Sequence, residues 1–124
     1  VFNSKGVEHM CFCTDCLAVA GSNATKTFNE NEIIEDGVCK LADRSALAGS
    51  IATMDRLVRT AVQQAGFPMD IACRMISETP AKIMGIYDRK GSLEPGKDAD
   101  IVIFDEKQEV KFVMQMGRIA RNDL

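Results

Sequence analysis

Histidine is almost missing from this 124-residue chain, in which His9 is the only one. A single imidazole cannot build a transition-metal site, which needs three or four nitrogen, sulfur or oxygen ligands held together. Basic clusters are missing too. The formal charge is -3 with acidic and basic residues interspersed, and no Lys/Arg stripe or basic patch interleaved with aromatics appears, so a nucleic-acid partner is not expected. No apolar run approaches the roughly 20 residues that cross a bilayer, and the first residues lack the charged-then-apolar pattern of a signal peptide. Neither a membrane nor a secretory route is expected, and the reading is a cytoplasmic protein. There is no initiating methionine. The chain opens on Val1 and soon reaches a strand pattern suited to the middle of a sheet, as the tail of a longer protein would.

Cysteine is present, but in an odd number and without a disulfide framework: Cys11, Cys13, Cys16, Cys39 and Cys73. Reduced thiols acting as small hydrophobes are the expectation. Cys11-x-Cys13-x-x-Cys16 lacks a second ligand pair downstream, and a metal cluster there is not expected.

At 46% hydrophobic residues the chain can bury the modest core of an α/β domain. The run Met10-Cys11-Phe12-Cys13-Thr14 reads as a strand buried on both faces, ending on Asp15. A carboxylate at the carboxyl end of such a strand sits where parallel sheets and barrels keep their chemistry. Taken alone, Thr14-Asp15 reads more readily as a turn or helix cap. The small residues from Cys16 to Asn23 read as a loop, and Asp36-Gly37 between two apolar-containing runs reads as the turn of a β-hairpin within about 25–41.

Leu47-Ala48-Gly49-Ser50 is expected to lead directly into a helix capped by Ser50 and stopped by Gly66. Ile51, Met54, Leu57, Val58, Ala61, Val62 and Ala65 would line its buried face. The turn before that helix could then offer unpaired amides to a sugar hydroxyl or phosphate. A second helix is expected over about Met69–Ser77. A third would have Thr79 as cap, Pro80 at its first position, Gly85 as stop, and Ala81, Ile83 and Met84 as packing residues. The strand Ile101–Phe104, a return strand from Glu109 to Met116 and a turn at Gly117-Arg118 complete a small antiparallel unit.

Pro80-Ala81-Lys82-Ile83-Met84-Gly85, followed by Lys90-Gly91-Ser92-Leu93-Glu94-Pro95-Gly96-Lys97-Asp98-Ala99-Asp100-Ile101-Val102, resembles the C-terminal signature of the amidohydrolase superfamily. Within it, the order Thr14-Asp15, Asp36-Gly37-Val38, Leu47-Ala48-Gly49-Ser50, Thr53-Met54-Asp55 resembles the N-acetylglucosamine-6-phosphate deacetylases. The resemblance implies the C-terminal portion of a TIM-like (β/α) barrel plus strands of a small β-sandwich. Residues 1–85 would be the end of the barrel, and 86–124 a β-sandwich segment. It implies an amide hydrolase with Asp15 as general base and acid, Leu47, Ala48 and Gly49 at the substrate, and an amino-sugar phosphate as partner. A divalent metal of the zinc or iron class would be held by ligands upstream, with none in this chain, and a homo-oligomer is expected. Two departures from the family pattern stand out: Cys16 replaces the frequent alanine, and Asp43-Arg44-Ser45-Ala46 replaces the usual Asp-Gly-Thr. The rival readings are an amidohydrolase acting on a cyclic amide, as dihydroorotase or allantoinase does, and a non-catalytic association fragment.

Overall fold

A computed structural model describes all 124 residues, Val1–Leu124. Helix α1 (Phe2–Lys5) and a 3-10 turn (Val7–His9) precede the hairpin β1 (Glu32–Glu35) and β2 (Val38–Leu41). Helices α2 (Met54–Gln63), α3 (Met69–Ile76) and α4 (Glu78–Ile83) follow, then strands β3 (Ile101–Phe104), β4 (Val110–Gln115) and β5 (Arg118–Asn122). The chain is α/β, as expected, and divides into two compact units. One comprises Val1–Phe12 with Val58–Leu124, the other Cys13–Leu57. No helix is long and apolar enough to cross a membrane.

The first unit is built on helical periodicity. Val58, Ala61 and Ala72 are buried, with Phe12, Val62, Phe67, Met69, Ile76 and Phe104 packed around them. Removing such apolar surface from water is the main favourable term in folding. Phe67 meets Phe2 edge to face at 4.8 Å and Phe12 at 6.4 Å. Helix α2 ends where glycine allows it, because Gly66 takes φ 70 and the Phe67 amide closes back on the Ala61 carbonyl at 3.0 Å.

Helices α3 and α4 correct two expectations. Thr79 is not a cap: Glu78 opens α4, and Thr79 is buried with its hydroxyl donating to the Val7 carbonyl at 2.8 Å. A hydroxyl enclosed by protein needs an acceptor, and the chain 72 residues earlier supplies it. Of the three expected packing residues Ala81 is buried, while Ile83 and Met84 are exposed.

The stretch carrying the superfamily signature proves to be a locked loop. A Cβ on Gly91 would lie 2.7 Å from that of Ala81, so this position needs glycine to lie against α4. Lys97 sits 3.5 Å over the Tyr87 ring and donates to Ser92 Oγ, while Lys90 pairs with Asp98 and Asp100. Asp100 in turn accepts the Met116 amide at 2.7 Å, fastening the loop to the turn between β4 and β5. Strands β3-β4-β5 form an antiparallel sheet with bulges after Ile103 and after Val113.

The expected strand Met10–Thr14 is not a strand. These residues are extended, Cys11 and Cys13 are exposed, and the Phe12 amide bonds to the Met75 carbonyl at the end of a helix. A strand exists only beside another strand, and neither sheet of this chain includes these residues. The cysteines there are therefore not the buried hydrophobes that the apolar run suggested.

Candidate active site

All the candidate site residues lie in the second unit, Cys13–Leu57. Its scaffold is the hairpin, whose register runs from Glu32 opposite Leu41 to Glu35 opposite Val38. Asp36 and Gly37 take φ 55 and 73, the left-handed pair that a two-residue hairpin turn requires. Charges reinforce the turn. Arg44 grips Glu35 through two bonds of 3.1 Å, and Lys40 reaches Asp36 at 2.8 Å and Glu35 at 3.3 Å. These cations hold the Glu35 carboxyl below the usual range.

The chain then returns along β2. The Leu41 amide donates to the Ala46 carbonyl, Lys40 bridges Leu47 in antiparallel sense, and the Ala48 amide donates to the Cys39 carbonyl at 2.9 Å. Leu47-Ala48-Gly49 is thus an added edge beside the hairpin, with Leu47 exposed and Ala48 and Gly49 half-buried. Ser50 does not cap a helix. It forms a parallel bridge with Cys16, its hydroxyl accepts the Ala52 amide at 3.1 Å, and α2 begins only at Met54. Ile51 accordingly lies outside the helix it was expected to line, and Ala65 is exposed beyond its end.

That parallel bridge brings the candidate residues together. Asp15 is exposed with φ 43, a conformation aspartate tolerates better than most. Immediately after it, Cys16 bridges Ser50 and the Leu17 amide donates to the Ser50 carbonyl at 2.8 Å. The Leu17 side chain lies against Gly49, where a Cβ would meet its Cγ at 2.6 Å. Gly49 is therefore required by close approach.

Cys39 is a free, buried thiol, the small hydrophobe that the sequence suggested. Its sulfur lies 4.0 Å from Glu32 Oε2. Burial pushes its thiol up, the Glu32 charge adds to this, and the Gly49 amide opposes it. The period-two pattern of β2 placed Cys39 on one face, but not which face is covered.

The residues present do not fit a metal by themselves: no three His, Cys, Asp or Glu side chains are grouped to hold an ion, and His9 is exposed.

Comparison with known proteins adds four findings. The family model described as "Amidohydrolase family" matches residues 3–120. The N-acetylglucosamine-6-phosphate deacetylase of Bos taurus is 34% identical over 109 residues, which are 86% of this chain and 27% of that protein. The crystal structure of the Pasteurella multocida N-acetylglucosamine-6-phosphate deacetylase superimposes with a TM-score of 0.88 at 31% identity, covering 98% of this chain and 32% of that one. A mutant of the Mycobacterium smegmatis enzyme in complex with N-acetyl-D-glucosamine-6-phosphate gives 0.84 at 28% identity, covering 98% and 33%. The chain thus spans about a third or less of the length of these relatives.

Proposed function

The chain belongs to the amidohydrolase family, and on that premise we propose that it is the C-terminal part of an enzyme that hydrolyses N-acetylglucosamine 6-phosphate to glucosamine 6-phosphate and acetate. Residues 1–85 would complete its barrel and 86–124 contribute to its β-sandwich. The observation that supports this reading is the backbone junction of the segment after Asp15 with the segment after Leu47–Gly49, through Leu17 and Ser50.

Amide hydrolysis needs a base for the attacking water and an acid for the leaving amine. One carboxylate can serve as both: Asp15 takes a proton as the water oxygen bonds to the acetyl carbon, then delivers it to nitrogen as the C–N bond breaks. Leu47, Ala48 and Gly49 would lie along the sugar. The family is generally metal-dependent, and a divalent ion lowers the pKa of bound water and polarises a carbonyl. This chain's residues do not form such a site, so its ligands would come from outside these 124 residues.

The test is direct. The complete protein, incubated with N-acetylglucosamine 6-phosphate, should release acetate and a primary amine in equal amounts. Ring opening of a cyclic amide such as dihydroorotate, with no acetate released from the amino-sugar phosphate, would overturn the deacetylase assignment.

A further inference from the structure

We propose that Leu17 is a positioning residue for the substrate edge, its side chain acting as the spacer that holds Gly49 at a fixed distance from the segment carrying Asp15. The inference rests on the assignment of Leu47–Gly49 to the substrate. Any residue at position 17 other than proline could make the backbone bond to the Ser50 carbonyl, but the contact with Gly49 belongs to the side chain. A Cβ built on Gly49 would lie 2.6 Å from both Cγ and Cδ2 of Leu17 and 2.9 Å from its Cδ1. The whole isopropyl group therefore fills the place that a side chain at 49 would take.

The backbone around Leu17 is anchored without help from that side chain. Its amide donates to the Ser50 carbonyl at 2.8 Å, and its own carbonyl accepts the Ala20 amide at 2.9 Å. The rest of the loop closes on itself and on the same downstream segment. Ser22 Oγ donates to the Val19 carbonyl at 2.7 Å, and a Cβ on Gly21 would lie 3.2 Å from Thr53 Cγ2. Leu17 is the largest side chain from Cys16 to Asn23, in a loop otherwise made of smaller residues. Glycine has no side chain with which to fix its own position and keeps wide backbone freedom, so the support for Gly49 comes from its neighbour. Trimming Leu17 would leave a void into which the edge can sag, because packed surroundings close such voids only in part.

A residue acting only through the edge alters substrate binding more than bond cleavage. In the complete protein, Leu17→Ala is expected to raise KM for N-acetylglucosamine 6-phosphate about fivefold while kcat changes by less than about twofold. The dissociation constant for glucosamine 6-phosphate, measured by calorimetry, should rise in parallel. Leu17→Met, close in volume, should keep KM near that of the wild type. Leu17→Val removes less and decides the case if the alanine variant does not fold, with a KM between those of wild type and alanine. A lowered thermal midpoint with KM and product affinity unchanged would make Leu17 a packing residue only and overturn the proposal. A fall in kcat without a rise in KM, or a methionine variant as impaired as the smaller ones, would overturn it too. If wild-type protein releases no acetate, the deacetylase reading falls and takes this inference with it, whereas acetate release with any of those results strikes this inference alone.

Discussion

The Leu17 amide donates to the Ser50 carbonyl at 2.8 Å, tying the residue two after Asp15 to the residue directly after Gly49. Thirty-odd residues of hairpin and loop separate them in sequence. The candidate base and the candidate substrate edge are therefore set by one backbone contact, and substitutions on either side of it should register in activity.

Asp15→Asn keeps shape and hydrogen-bonding size but removes the proton acceptor. In the complete protein, turnover should fall by roughly two or more orders of magnitude with the thermal midpoint little changed. Near-normal acetate release from the variant would take Asp15 out of the mechanism.

Gly49→Ala places a methyl 2.6 Å from Leu17 Cγ, well inside van der Waals contact. The edge must shift, so KM should rise several-fold, and more for Gly49→Val. Leu17→Ala in the same protein opens the space and should restore most of the affinity. If the double variant is no better than Gly49→Ala, the steric account is wrong.

Arg44 has φ 60 where the related pattern carries glycine. Its two bonds to Glu35 lie at an exposed site, where ion pairs contribute little. Arg44→Gly loses the pair and relaxes the backbone, whereas Arg44→Ala loses the pair and keeps the strain. The glycine variant should melt higher than the alanine variant by roughly a few degrees.

How much of this was legible depended on how local the cause was. Asp36-Gly37 announces its hairpin because the turn geometry is decided by those two residues. Helix α3 is equally local, with its apolar positions at helical spacing. Ser50 misled because a good N-cap residue is engaged instead by Cys16, 34 positions earlier, which delays α2 to Met54. Thr79 misled for the same reason, its hydroxyl being claimed by Val7. Met10–Thr14 shows the limit of patterning: apolar composition fits a central strand, but pairing needs a neighbour that the local sequence cannot reveal. Asp15 and Leu47–Gly49 became candidates through motif order, while which of the five cysteines is buried shows only in the fold, at Cys39.

Glu78 joins α3 and α4, accepting from Lys82 at 2.5 Å and Arg74 at 2.8 Å, and both cations depress its carboxyl below the usual value. A depressed native pKa favours the folded state above the unfolded pKa, and this contribution is lost as pH falls through the folded one. Stability should therefore decline below about pH 4.5, the ordinary glutamate value. Glu78→Gln should flatten that decline while lowering stability near neutrality. An identical acid limb in the variant would assign the effect to other carboxyls, Glu8 first, since Arg74 and Lys82 depress it as well.

The last expectation concerns the 124 residues on their own. Leu47, Leu93, Met116 and Ile119 are exposed, and Phe28 is 90% so. Strand β5 is exposed along its whole length and pairs on one side only, leaving a free edge. Residues Met10–Asp15 belong to neither sheet. Free strand edges and exposed apolar side chains drive pairing between copies, opposed here by the charges of Arg118 and Arg121 on β5. Light scattering on the isolated chain should give a mass above the 13.6 kDa of one copy, rising with concentration and salt as those charges are screened. Elemental analysis should find well under one metal ion per chain, since no three ligands are grouped. A compact monomer carrying one metal ion per chain would count against both the exposed surfaces as sticky faces and the placement of the metal ligands outside these residues.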